Sequence, residues 1–191
     1  MNVGLFFGSF NPIHVGHLII AQFLLNETDL NQVWMVVSPH NPLKEKSSLA
    51  RDYDRLRLVQ LATEDNLRIK VSDIEFHMPT PSYTIDTLVL LKEKHPDYNF
   101  TLIMGGDNLQ NFKKWKNYDL ILKDYSILIY NRPNYSEQTE FDHLPSIKFL
   151  DAPLLNISST RIRELLKSGK SVQYMVPDKV LEEIISLKMY K

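Results

Sequence analysis

Apolar residues in this chain come in short unbroken runs that take turns with longer amphipathic stretches. "VGLFF" (3–7), "QVWMVVS" (32–38), "RIKVSD" (68–73), "NFTLIMG" (99–105) and "YSILIY" (125–130) are compact runs. Each predicts a buried strand. Between them, "HVGHLIIAQFLLNE" (14–27) places Leu18, Ala21, Gln22 and Leu25 one helical turn apart. "ARDYDRLRLVQLATED" (50–65) places Tyr53, Leu56, Val59 and Ala62 on one face, and "TIDTLVLLKEKH" (84–95) and "NYDLILKD" (117–124) also read as helices. Strands alternating with helices predict an α/β fold, a Rossmann-like open parallel sheet of five or six strands with helices on both faces. The polar stretch 131–145 predicts a surface loop and "IKFLDAPLLNI" (147–157) is short and extended. Two helices, "SSTRIRELLKSG" and "PDKVLEEIISLKMY", make the C-terminus helical, with Pro177 suited to a first turn. No repeat, low-complexity tract or linker interrupts the pattern, so a single domain over 1–191 is expected.

Composition narrows the function. The chain has 191 residues, 43% of them hydrophobic, enough for one well-buried core. With 22 basic and 23 acidic residues it lacks the basic excess of a nucleic-acid binder, so an anionic ligand must be caught by a local cluster. The absence of cysteine excludes disulfides, a thiol nucleophile and thiolate zinc sites. No signal peptide or membrane-length apolar stretch is visible, and a cytoplasmic protein without a membrane partner is expected. Nothing in the residues decides between a monomer and a homo-oligomer, although the 131–145 loop is a place where an interface could form.

In open parallel sheets, ligands bind at the carboxyl ends of the strands, where the strand order reverses. "GSFNPIH" leaves strand one there and opens helix one, where backbone N–H groups and the helix dipole can meet phosphate. His14 and His17 lie one turn apart around Gly16 and suit polyphosphate as hydrogen-bond donors. Two other readings stay open: one histidine caps the helix while the other packs, or the two form a metal pair, for which no third ligand lies at sensible spacing.

"GSFNPIHVGH" resembles the first signature, G-T/S-F-D/N-P-x-H-x-G-H, of the nucleotidyltransferases that move adenylyl or cytidylyl groups. "ISSTRIRE" (157–164) resembles their second signature. "PSYTIDTL" (81–88), "MGGDNLQNFKKWKNYDLIL" (104–122) and the C-terminal segment are similar to bacterial nicotinate mononucleotide adenylyltransferases along essentially the whole chain. Phe7 stands where many members have a glycine, Ser9 and Asn11 replace the commoner Thr and Asp, and Leu43 stands where the "PPHK" loop has His.

The resemblance implies transfer of AMP from ATP to nicotinate mononucleotide, with magnesium on the ATP phosphates. It implies ATP contacts from Gly8, Ser9, Phe10, His14, Gly16, His17, Lys44, Gly105, Asp107, Ser158, Ser159, Thr160 and Arg161. His14, His17 and Arg161 are the catalytic candidates, and Ser9, Tyr83, Thr84, Asp107 and Trp115 the mononucleotide contacts. Simpler roles stand beside these. "SST" is also an N-cap, Lys44 a surface lysine, Trp115 a core residue, Asp107 a cap, and Arg55, a basic position of the second helix, a solvated or salt-bridged arginine. The competing functions are pantetheine-phosphate adenylyltransferase, which shares both signatures, and a nucleotide-binding regulator without catalysis.

Overall fold

The computed structural model describes residues 1–39, 49–130, 141, 143–153 and 155–191. Six strands form one parallel sheet: β1 (Asn2–Gly8), β2 (Gln32–Val37), β3 (Ile69–Ser72), β4 (Asn99–Gly105), β5 (Ser126–Tyr130) and β6 (Ile147–Leu150). Their order is β3-β2-β1-β4-β5-β6. This is the doubly wound arrangement, with its reversal between β1 and β4, so the carboxyl ends of those two strands flank the ligand crevice.

Side chains alternate between the two faces of each strand, and two cores follow from that. Phe6, Val33, Met35, Val37, Ile103 and Leu128 face one way. They pack against α1 (Val15–Glu27), α2 (Asp52–Thr63), α6 (Ser159–Lys167) and α7 (Asp178–Ser186). Val3, Leu5, Val36, Leu102, Ile127 and Ile129 face the other way. They meet α3 (Thr84–Lys94), the short α4 (Gly106–Leu109) and α5 (Tyr118–Asp124). Each fully buried aliphatic side chain contributes about 1.5–3 kcal/mol, so both faces are needed to offset chain entropy. Among the described residues no helix is long and apolar enough to cross a membrane.

The expected elements are present, with two corrections to their facing. In α2, Tyr53 is 70% exposed, and the buried face is Arg55, Leu56, Leu58, Val59 and Thr63. Arg55, expected to be solvated or salt-bridged, is salt-bridged to Asp52 but has no exposed surface. The helix is rolled toward Arg55 because that side chain has hydrogen-bond acceptors waiting at the sheet edge. In α1, Gln22 is exposed; it donates to Asn26 and accepts from Asn66, while Leu24 joins Ala21 and Leu25 in the core. Two short pieces were not visible in the pattern, a 3₁₀ turn at Ile74–His77 and another at Phe112–Lys114, whereas the short helix that an Asp107 cap implied is α4.

Candidate active site

The turn after β1 is built around aromatic rings. Phe10 has a left-handed backbone (φ 42°), uncommon for a residue with a side chain. Its ring covers Gly8, where an added Cβ would lie 2.8 Å from it. The ring also meets Phe6 and His17 edge-on, with centroids at 6.1 and 5.1 Å. His14 and His17 are stacked, with centroids 3.7 Å apart. Gly16 therefore has a reason of its own, because a Cβ there would sit 3.0 Å from His14 Nδ1. The backbone N–H of His14 donates to His17 Nδ1 at 3.3 Å, so neutral His17 carries its ring hydrogen on Nε2 and can donate from there. The His17 ring thus closes the capping arrangement at the start of α1. The first helix amide, Val15 N–H, donates to the Met175 carbonyl at 3.0 Å.

The two signatures, far apart in sequence, meet at this turn. Ser158 caps α6, its hydroxyl accepting from Arg161 N–H at 3.2 Å. Ser159 Oγ donates to the Pro12 carbonyl at 2.8 Å. Arg163 donates to the Asn11 carbonyl at 2.8 Å and to Thr160 Oγ1 at 3.3 Å. Arg161, by contrast, is exposed and paired with Glu164 at 3.2 Å. Ser159 and Arg163 share a helical face at i and i+4, whereas Arg161, two residues from Ser159, points elsewhere. That spacing was the available signal for Arg163, and the sequence reading passed over it.

Arg55 completes the turn from below. Its Nε donates to the Ala50 carbonyl (3.2 Å), Nη1 to the carbonyls of Ser9 and Ser38 (the latter 2.8 Å), and Nη2 to the Pro39 carbonyl (3.0 Å) and Asp52 (2.7 Å). Nearby, burial pushes the Tyr190 phenol well above its ordinary range, against a weaker pull from Arg55 and Arg163, so it stays neutral.

A second group of residues gathers at the entry to α3. Thr84 is its first residue, and Tyr83 occupies the N-cap. Glu75, buried in the first 3₁₀ turn, accepts from Ser82 Oγ (3.0 Å) and Thr87 Oγ1 (2.9 Å). Lys116 pairs with Asp86 at 2.8 Å and lies 4.9 Å from the centre of the Tyr83 ring, tying this entry to the segment after Trp115. Trp115 is half-buried and edge-on to Phe112 at 5.4 Å, so one part of the indole packs and another is accessible. Gly105 ends β4 and is the N-cap of α4; Asp107 is exposed in the first turn of that helix and does not occupy the cap. Glu75 and Ser82 were missed in the sequence because their partners are set by tertiary packing. Lys44, and residues 131–140 and 142 of the expected loop, lie outside the described residues.

The cytidylyltransferase-like family model matches residues 5–165. A Flavobacterium johnsoniae protein named probable nicotinate-nucleotide adenylyltransferase is 53% identical over 192 residues, covering 100% of both chains. A Cytophaga hutchinsonii protein of the same name is 49% identical over 190 residues, covering 100% of this chain and 98% of that one. Among solved structures, a Plasmodium falciparum nicotinic acid mononucleotide adenylyltransferase complexed with NaAD superposes with a TM-score of 0.84 at 21% identity. It covers 99% of this chain and 97% of that chain, a likeness of fold.

Proposed function

This chain belongs to the cytidylyltransferase-like family, and from that premise we propose that it is a nicotinate-nucleotide adenylyltransferase. It transfers AMP from ATP to nicotinate mononucleotide, giving nicotinate adenine dinucleotide and pyrophosphate in NAD biosynthesis. The observation that carries this reading is the end-to-end match to relatives of that name. The convergence of both signatures on one sheet edge supports it.

The mononucleotide 5′-phosphate attacks the α-phosphorus. One P–O bond forms, the α–β bridge breaks, and pyrophosphate leaves. The nucleophile is already an anion, so no strong base is required, and catalysis rests on positioning and on stabilising spread negative charge. His17, donating from Nε2, and His14 hold the phosphates, with the turn of Gly8, Ser9 and Phe10 beneath them and Gly16 keeping the backbone close. Ser158, Ser159 and Thr160 carry the second signature to the same place. Of the two arginines, Arg163 already reaches the turn, whereas Arg161 must leave Glu164 to contribute. Gly105 and Asp107 line the nucleotide side, Asp107 accepting from ribose hydroxyls. Magnesium enters with ATP as part of the substrate and neutralises phosphate charge. Among the described residues no cluster of three His, Cys, Asp or Glu could hold a metal ion.

Trp115 stacks on the pyridine ring, and backbone donors at Thr84 and just after Trp115 read its carboxylate, with Tyr83 beside them. An amide in that place sets donor against donor, at a cost of about 1–3 kcal/mol. Nicotinate mononucleotide is therefore expected to exceed nicotinamide mononucleotide by about 10- to 100-fold in kcat/KM. Pyrophosphate release with both mononucleotides and with phosphopantetheine tests this. A preference for phosphopantetheine, or release with none of the acceptors, overturns the function, and equal rates with acid and amide overturn the selectivity.

A further inference from the structure

Among the described residues, the bulkiest fully buried side chain is a charged one, Arg55. A guanidinium has five N–H donors, and here each faces an acceptor: Ala50, Ser9, Ser38 and Pro39 carbonyls and one Asp52 oxygen. Stability alone does not call for this group, because apolar replacements of buried ion pairs are often neutral or stabilising. What an apolar side chain cannot do is hold carbonyls. Those held here belong to the exit of β1 (Ser9), the exit of β2 (Ser38 and Pro39) and the approach to α2 (Ala50).

The Ser9 contact is the consequential one. In a trans peptide the C=O of Ser9 and the N–H of Phe10 point in opposite directions. Turning that carbonyl into Arg55 turns the Phe10 amide away from it. The same peptide leads into the left-handed Phe10, whose ring covers Gly8 and touches His17. Arg163 and Ser159 hold two further carbonyls of the turn, those of Asn11 and Pro12, past Phe10. A carbonyl oxygen facing a triphosphate would repel it, and these three side chains occupy three of the turn's carbonyls.

We propose that Arg55 is the positioning residue of the phosphate-binding turn: it fixes the Ser9 carbonyl and so sets the Phe10 amide and the His17 ring against the ATP phosphates. This rests on the function proposed above. Lysine cannot replace it, since a single ammonium cannot reach five acceptors in a planar fork. The test uses Arg55→Lys, Arg55→Met and Asp52→Ala in the full chain, with melting curves, kcat, both KM values and the Kd of a non-hydrolysable ATP analogue. The folded Arg55 variants are expected to lose about 10- to 100-fold in kcat/KM for ATP, as small misplacements of catalytic groups do. Their analogue Kd rises, while KM for the mononucleotide stays within about twofold. Asp52, a half-exposed partner, gives the smaller shift in the same direction and decides the question if both Arg55 variants fail to fold. Folded variants with parental ATP constants, or equal damage to both substrates, overturn the proposal. If the parent protein binds the analogue yet adenylylates no mononucleotide, the function reading fails, and Arg55 is still judged on analogue affinity.

Discussion

Two buried charges organise the two ends of the crevice, and they work in opposite ways. Arg55 is donor-only and grips main chain, pulling together the exits of β1 and β2. Glu75 is acceptor-only and grips side chains, the hydroxyls of Ser82 and Thr87 on either side of the Tyr83–Thr84 step. The difference follows from what each loop must present. On the proposed function the turn after β1 faces the triphosphate, where carbonyls have to be held, and only a donor can hold them. At the entry to α3 the main chain is already set by the helix, whose Thr87 N–H donates to the Tyr83 carbonyl at 3.2 Å. There a carboxylate needs only to fix the approach. Loss of the cation should therefore loosen backbone, and loss of the anion should loosen side chains on an intact backbone.

The largest effect is expected where the nucleotide end meets the reacting phosphates. His17→Ala removes a donor to developing charge and should lower kcat by about 10²–10³ with saturating ATP and magnesium. Mononucleotide KM should change little; near-normal turnover would remove His17 from the reaction. At the other end, Trp115→Ala should raise mononucleotide KM and spare ATP KM. A lost stack is worth about 1–3 kcal/mol, roughly 5- to 150-fold. Equal loss for both substrates with a lower Tm would make the indole a core residue. The smallest kinetic effect belongs to Glu75→Ala. It strands the buried Ser82 hydroxyl, leaves Thr87 Oγ1 to the Tyr83 carbonyl at 3.3 Å, and should cost about 1–3 kcal/mol in stability, read from denaturant unfolding. The accompanying rise in KM should be confined to the mononucleotide; a rise for ATP instead would erase the contrast with Arg55.

The fold was legible because its signals are local. Unbroken apolar runs and stretches with period 3.6 follow from covering a sheet on both faces; β1 to β5 lie where the five runs are, and β6 lies in the segment read as short and extended. Both signatures were legible as well, since each is a short contiguous segment, and with them the family. Periodicity did not identify the face of α2. Its apolar positions fit a stripe through Tyr53, yet three carbonyls at the sheet edge, with Ala50 and Asp52 at the start of α2, roll Arg55 inward and leave Tyr53 in solvent. Nor did the motif "STRIR" say which arginine reaches the turn, because that depends on the Ser159 face of α6 docking on Pro12 across 147 residues of sequence. Gly16 was expected as an ATP contact, and packing supplies the His14 ring as a neighbour that leaves little space for a side chain there. Local patterning determined which residues form strands and helices. Tertiary structure decided which polar groups are buried and what they hold, because a buried charge is tolerable only where partners from distant segments converge on it.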